Sequence, residues 1–454
     1  MQQASSFDFD LITIGGGSGG VRASRLAASH GFKAAVIEQD RFGGTCVNVG
    51  CIPKKLLSYA AAWSGDFDLA ADYGWHLDEP RFDWRRLIDA VDREVLRLNG
   101  VYERLLREAG VSCVRGRARL VDGHTVAVDG RHYTARTILV ATGAVPLRPP
   151  IPGAGLGLVS DDLFALERLP ATALVVGGGY IALEFASILN GLGVETTLAY
   201  RGERLLRGFD ADLGTRVAEE MQNKGVRILL KTDVVELSKA DGETSVAARL
   251  NDGQRHEFGS VLFATGRRPN TDSLGLREAG VVLGANGQIV VDAFSRSSCA
   301  SIHAIGDVTD RMNLTPVATA EAGCFVNTVF LNRPTPMNYD NVATAVFSLP
   351  NVATVGMSEQ QALASQQAID VYVSAFRSLK YVVTQRSDKV FMKLIVDRQS
   401  RRVLGAHMVG PDAGEIIQGF AAAMKAGITK EQLDSTVGIH PTVAEEFVTM
   451  RTKR

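Results

Sequence analysis

The chain carries almost no charge imbalance: 49 Lys and Arg stand against 50 Asp and Glu, for a formal net charge of −1. That balance provides no large field for drawing the molecule onto nucleic acid or anionic lipid, and neither is expected as a partner. Cysteine is scarce as well. Five in 454 residues are too few for a disulfide scaffold, and the odd number leaves at least one thiol unpaired. Long apolar runs are missing: the best candidate, residues 172–190, holds three consecutive glycines and Glu184, which fits a strand, turn and helix better than a membrane span. The leading MQQASSFDFDLITI has no basic segment and places Asp8 and Asp10 before the first apolar run, which argues against a secretory leader and for a cytoplasmic protein. Proline is outnumbered, 14 against 46 glycines without a short repeat, which excludes collagen-like and linker compositions. What remains is room for about three domains at roughly 100–200 residues each, with glycine for tight turns near phosphates.

Residues 10–14 form a short β-rich run, followed by Gly15-Gly16-Gly17-Ser18-Gly19-Gly20 and a helix-compatible stretch, 21–29. G-x-G-x-x-G alone is weak, but between a strand and a helix it lets a pyrophosphate approach the helix N-terminus. A second strand, 34–37, ends in Glu38, whose carboxylate can accept hydrogen bonds from a ribose diol. The pattern then returns as strand 174–176, Gly177-Gly178-Gly179-Tyr180-Ile181-Ala182, helix 183–192 and strand 195–199. Glu38 lies 23 residues beyond Gly15, and the same interval from Gly177 ends on Tyr200, so the second site lacks the acid. Arg201 and Arg207 follow, a placement suited to a 2′-phosphate, the alternative being two solvated loop charges. The first site therefore reads as adenosine with a free diol and the second as NADP.

Each copy closes on an apolar strand and Ala-Thr-Gly, at 141–143 and 264–266, as a duplicated module would. Pro-rich 146–152 marks the crossing into the second module and 267–270 the crossing back. From about Asn341 the dinucleotide signatures stop, and a separate block begins with a strand at 391–396 and an amphipathic helix at 413–425.

Cys46 and Cys51 lie in Phe42-Gly-Gly-Thr-Cys46-Val-Asn-Val-Gly-Cys51-Ile-Pro-Lys54-Lys55. Two thiols at this spacing can meet if the turn brings their Cα atoms within about 7 Å. Zinc competes poorly because no second Cys or His pair sits at metal spacing, so no metal is expected; an inert bridge stays open. Lys54, Lys55 and a predicted helix start would lower a thiolate pKa, which favours a reactive pair.

GGGSGG, GGTCVNVGCIPKK, GGGYIALE and HPTVAEE together, along essentially the whole chain, resemble the pyridine nucleotide-disulphide oxidoreductases, most closely the branch that reduces glutathione disulfide. The Cys motif is shared with trypanothione reductases and, loosely, with lipoamide dehydrogenases and mercuric reductases. The resemblance implies an α/β fold of two Rossmann-like dinucleotide-binding domains, for FAD and NADP, plus a C-terminal α+β dimerisation domain. Residues 1–141 would form the first part of the FAD domain, 142–269 the NADP domain, 270–340 a central second part of the FAD domain, and 341–454 the dimerisation domain. FAD would be held by Gly15, Gly17, Ser18, Gly19, Gly20, Glu38, Gly44, Thr45, Cys46, Lys54, Ala118, Thr142, Gly143, Asp307 and Thr315. NADPH would be held by Gly177, Gly178, Gly179, Ile181, Glu184, Arg201, Arg207 and Gly266, with Tyr180 as an aromatic gate over the nicotinamide pocket.

In the family's pattern Cys46–Cys51 is a redox-active disulfide, Cys51 being the sulfur next to the flavin and Cys46 the one that attacks the substrate. Lys54 would lie near the flavin and pair with Glu184, which on the bland reading merely faces solvent. His440, oriented by Glu445, would be the acid–base group, acting from the partner subunit of a homodimer. A lone His is more often structural, so this role rests on the resemblance. Ser18, Arg25 and Tyr102 match substrate-contact positions, and a basic Arg25 suits anionic glutathione disulfide rather than cationic trypanothione disulfide, unless it is a plain surface charge. A second substrate arginine of many relatives is replaced by Gly323, as in plant-like and cyanobacterial members; Arg377 or Lys380 could supply the charge. Cys113, Cys299 and Cys324 match no catalytic role and are expected in or near the core. The competing functions are reduction of another small disulfide on the same fold, and a flavin-binding protein without turnover.

Overall fold

The computed structural model describes residues 7–76, 78, 80–240 and 245–454. The leader expectation rests in part on residues 1–6, which lie outside the described residues. The chain forms two compact units, one of Met1–Lys54, Arg85–Leu147 and Gly266–Asn338, the other of Lys55–Trp84, Arg148–Thr265 and Tyr339–Arg454. Residues 55–84 thus cluster with the second unit.

In the first unit, five parallel strands lie in the order Ser112–Arg115, Ala34–Glu38, Phe9–Ile14, Arg131–Val140, Ile302–Ala304. The central strand has Leu11, Ile12, Thr13 and Ile14 all buried, because a parallel strand is covered on both faces. Ile12, Ile14, Ile138 and Val140 join one apolar cluster, while Leu11 and Leu139 join Val21, Ala27 and Phe325 on the other face. Helices Ser18–Ser29 and Thr315–Val329 pack together on that second face. A short antiparallel pair, Ala118–Leu120 with Thr125–Val128, extends from the start of Arg131–Val140.

The second unit repeats the plan: parallel strands run Arg227–Leu230, Glu195–Tyr200, Thr172–Val176, Ser260–Phe263, Leu158–Val159. The copies differ at the fifth strand, which follows the others in the chain in the first module and precedes them in the second. Hydrogen bonds fix the equivalence. Gly15 N donates to Ile37 O and Gly177 N to Ala199 O, both at 2.9 Å, while Ala141 N to Ile14 O and Ala264 N to Val176 O are both 2.8 Å. The second unit also holds a five-stranded antiparallel sheet, Thr344–Val346, Val352–Gly356, Val403–Val409, Lys389–Asp397, Ile369–Arg377, carrying helix Ala413–Lys425 against its core. The two Pro-marked crossings lie side by side, Ala144–Pro146 pairing antiparallel with Arg267–Pro269 within the first unit.

Candidate active site

At the first glycine turn, Gly15 takes φ +105°, and a Cβ there would stand 2.4 Å from Ala141 O; on Gly20 it would stand 2.0 Å from Gly15 O. Only glycine lets the strand end, the turn and the helix approach this closely. Helix Ser18–Ser29 starts at Gly17 with no side-chain cap and no acid in its first turn, so its leading N–H groups face outward uncompensated. A Cβ on Gly44, the first residue of helix Gly44–Asn48, would fall 2.7 Å from Gly17 Cα, which keeps the cysteine segment directly against this turn. Such a cradle fits a dinucleotide pyrophosphate. Glu38 accepts from Gly16 N at 2.7 Å and Asp40 N at 2.8 Å, holding its carboxylate at the end of Ala34–Glu38 as a ribose acceptor requires. Gly116 N donates to Glu38 O at 3.0 Å and brings the chain back toward buried Ala118. Thr142 donates to Asn270 O at 2.7 Å, Asn270 N donates to Gly143 O, and Arg267 donates to Ala144 O. Asp307 is held half-buried, its carboxyl pushed up by burial against the opposing pull of Arg267.

Cys46 sits in Gly44–Asn48, and Cys51 opens helix Cys51–Ala70. A Cβ on Gly50 would meet Thr45 O at 2.7 Å, so the tight link that brings the sulfurs together depends on glycine. Both cysteines are thiols, in hydrogen-bond contact. That contact with Cys51, and then burial, push the Cys46 thiol well above its ordinary value. In so close a pair the two sulfurs titrate together, and the raised Cys46 thiol belongs to the pair rather than to one residue. Thr315, at the start of Thr315–Val329, lies 3.6 Å from Cys51 Sγ. Lys55 stacks over the Phe347 ring at 3.6 Å, its charge committed to an aromatic face.

The sequence reading missed the supports beneath the thiols. Asn48 donates to Arg41 O and Gly44 O, and Asn99 donates to Asn48 Oδ1 and Phe42 O, both at 2.8 Å, pinning the short cysteine helix to helix Trp84–Glu108. Glu321, almost fully buried, accepts from Gly306 N and pairs with Arg311 at 2.9 Å, fixing the turn that carries Asp307. Nothing local in sequence connects Asn48 with Asn99, or Gly306 with Glu321.

The same unit gathers Ser18, Tyr102 and Arg25. Ser18 hydrogen-bonds the half-buried Tyr102 hydroxyl, and Arg25 Nε is buried without a hydrogen-bond partner among the described residues. An orphaned guanidinium N–H invites an anionic acceptor. Cys113 corrects one expectation: it is exposed on the edge strand Ser112–Arg115, because an outermost strand has only one covered side, while Cys299 and Cys324 are partly buried.

In the second unit Gly177, at φ +142°, repeats the turn, with a Cβ there 2.3 Å from Ala264 O, and helix Tyr180–Gly191 again starts uncapped, at Gly179. Ala182 takes the place of Gly20, its Cβ only 3.4 Å from where one on Gly177 would lie. Tyr200 replaces Glu38: its ring packs against Gly178, as Glu38 packs on Gly16. Arg201 and Arg207 are exposed and make no hydrogen bond or ion pair among the described residues. Tyr180 is exposed, Ile181 follows it on the helix, and Glu184 is buried with Oε1 accepting from Phe347 N at 2.9 Å. Gly266 belongs to the first unit, where its carbonyl accepts from Leu147 N.

His440 Nδ1 lies 3.1 Å from Glu445 Oε1, and the carboxylate also accepts from Thr442 N. Gly438 permits this approach, since a Cβ there would stand 2.9 Å from Glu445 Cβ. The His440 side chain is 81 % exposed, flanked by exposed Val437 and Ile439. Lys380 is paired with Asp66 and Arg377 donates to Thr384 O and Arg386 O, so both already have partners within this unit. Among the described residues no His, Cys, Asp and Glu cluster suits a metal, and no helix is long and apolar enough to cross a membrane.

Residues 9–322 match the family model described as pyridine nucleotide-disulphide oxidoreductase, and residues 342–451 match that family's dimerisation domain. The chain belongs to this family. As a pyridine nucleotide-disulphide oxidoreductase it is 48 % identical over 448 residues to a glutathione reductase of Burkholderia cepacia, covering 99 % of each chain. It is 47 % identical to the chloroplastic/mitochondrial glutathione reductase of Pisum sativum, over 99 % of this chain and 83 % of the relative. A glutathione reductase of Nostoc sp. is 43 % identical, over 98 % of this chain and the full length of the relative.

Proposed function

We propose that the protein reduces glutathione disulfide to two glutathione at the expense of NADPH, as an FAD-containing homodimer of the cytoplasm. The observation that carries this reading is the Cys46 and Cys51 thiol pair set against an uncapped glycine turn, in a chain nearly half identical to glutathione reductases over its length. Residues 1–141 and 270–340 form the FAD-binding domain, 142–269 the NADP-binding domain and 341–454 the dimerisation domain.

Bound FAD supplies a two-electron relay between the nicotinamide and the cysteines. Gly15, Gly17, Ser18, Gly19, Gly20, Gly44 and Thr45 present backbone N–H groups and space to its pyrophosphate, Glu38 holds the ribose, and Ala118, Thr142, Gly143, Asp307 and Thr315 line the remainder. Gly177, Gly178, Gly179 and Ile181 receive the NADPH pyrophosphate, Gly266 borders that site, Arg201 and Arg207 take the 2′-phosphate, and Tyr180 shields the nicotinamide pocket. Lys54 would place positive charge near the flavin.

His440 of the partner subunit takes the proton of the Cys46 thiol, the Cys46 sulfur attacks one sulfur of the bound disulfide, and the released glutathione thiolate receives that proton from His440. Cys51 then attacks Cys46 Sγ, expelling the second glutathione and closing the Cys46–Cys51 bond. Glu445 keeps Nδ1 of the imidazole occupied so that Nε2 faces the sulfur. Ser18, Arg25 and Tyr102 bind the glutathione chains; the orphaned Nε of Arg25 favours an anionic peptide over a cationic one.

Steady-state rates with glutathione disulfide, trypanothione disulfide and bis-γ-glutamylcystine test the assignment. Glutathione disulfide should be preferred by at least about 100-fold in kcat/KM. Faster turnover of either competitor would move the enzyme to a different small disulfide, and failure of NADPH to bleach the flavin anaerobically would leave it a flavin-binding protein.

A further inference from the structure

The loop 201–210 carries both arginines assigned to the 2′-phosphate, and its two ends are held very differently. At its start, Tyr200 simply ends a strand. Midway, Leu205 and Leu206 are buried, and Leu206 N donates to Gly178 O at 2.7 Å. At its end lies a charge cluster that the proposed reaction does not use. Asp210 is buried, caps helix Ala211–Asn223 by accepting from Asp212 N, and accepts from Lys393 Nζ at 2.8 Å and from Glu359 N at 2.9 Å. Lys393, fully buried on strand Lys389–Asp397, also binds Asp212 and Glu359, each at 2.7 Å. Arg454 closes the ring from outside by pairing with Asp212 at 2.8 Å and with Glu359. His407, buried beside it, spends both ring nitrogens on Thr354 Oγ1 and Met357 O.

A fully buried ammonium is costly unless every donor is matched, and Lys393 matches its three donors to three carboxylates. Such a cluster has one low-energy arrangement. Burial alone would raise the Asp210 carboxyl, yet Lys393 and the Glu359 amide hold it below the ordinary carboxylate range, so it stays charged. Asp210 is three residues from Arg207, and Gly214 lets the following helix press against Leu205 O, where a Cβ would stand at 2.3 Å. Fixing Asp210 therefore fixes the backbone from which Arg207 projects.

We propose that Lys393 and Asp210 are positioning residues for NADPH specificity: the buried ion cluster of the antiparallel sheet sets the placement of Arg207, and with it the discrimination of NADPH from NADH. The inference rests on the reading that Arg201 and Arg207 bind the 2′-phosphate. Lys393→Met would strand three carboxylates and endanger folding, so the informative variants are Asp210→Asn, which keeps the helix cap, and the surface change Arg454→Ala.

In the FAD-loaded enzyme, Asp210→Asn should raise the KM for NADPH about tenfold and Arg454→Ala about threefold, with kcat and the kcat/KM for NADH kept within about twofold. Binding of 2′,5′-ADP, followed by calorimetry, should weaken in parallel while binding of 5′-AMP does not. Equal losses with NADPH and NADH, or none with either, would overturn the proposal; were Asp210→Asn not to fold, an unchanged NADPH to NADH ratio in Arg454→Ala would do so alone. The double variant Arg201→Met with Arg207→Leu runs beside them. If it leaves the ratio unchanged, the 2′-phosphate reading itself has failed; if it collapses the ratio while the cluster variants do not, only the positioning role has.

Discussion

His440 Nδ1 stands 3.1 Å from Glu445 Oε1 while most of the imidazole is open to its surroundings. The ring is thus oriented by one nitrogen and free to act with the other, the division of labour that proton delivery to a thiolate needs. His440→Ala should slow reduction of glutathione disulfide by about 10²–10⁴-fold, and Glu445→Gln should slow it in the same half-reaction by a smaller factor. Stopped-flow separation of the two half-reactions checks this, since reduction of the flavin by NADPH should be nearly unaffected in both variants.

On the proposed division of roles Cys51 is the sulfur that carries the thiolate, while contact with Cys51 and burial hold the Cys46 thiol above its ordinary value. Two-electron reduction of the enzyme should give a long-wavelength charge-transfer band that Cys51→Ser abolishes and Cys46→Ser retains. The band's persistence in Cys51→Ser would reverse the roles of the two sulfurs.

Gly20→Ala would place a methyl group 2.0 Å from Gly15 O, whereas Ala182 already occupies the equivalent position of the second copy. Purified Gly20→Ala should therefore carry little FAD, read from the ratio of flavin to protein absorbance. Ala182→Gly should leave NADPH binding close to normal and cost about 1 kcal/mol of stability as a glycine inside a helix.

His303 and His407 are buried, and burial pushes both imidazoles down to about 4. Their folded values lie below the unfolded value near 6.5, so between pH 6.5 and about 4 the unfolded chain binds the extra protons and stability falls as pH falls. Each ring should cost about 2 kcal/mol between pH 7 and 5. Asp210 and Asp212, held below their ordinary range, act in the same direction at lower pH. Urea midpoints across this range should show a steeper acid loss in the native protein than in a His303→Leu variant.

The glycine turns, the cysteine spacing and the His440 to Glu445 interval were legible because each is a constraint acting within a few residues. A φ that only glycine takes, or a partner five positions away, needs no knowledge of the rest of the chain. The duplication was legible for a related reason: equal intervals in sequence became equal hydrogen bonds, Gly15 to Ile37 and Gly177 to Ala199. Where the reading went astray, the missing quantity was environment. Cys113 looks like any small apolar residue in sequence, and its exposure follows from lying on an edge strand.

By itself, then, the sequence determined where the glycine turns, the cysteine pair and the His440–Glu445 pair lie, since backbone sterics and covalent spacing leave few alternatives there. Tertiary structure alone decided what holds them in place: Asn99 on Asn48, Glu321 on Gly306, and Lys393 on Asp210 across 183 residues. These are buried polar groups, and a buried polar group is committed to whichever partner the packing of distant elements brings within about 3 Å, a choice that no local pattern encodes.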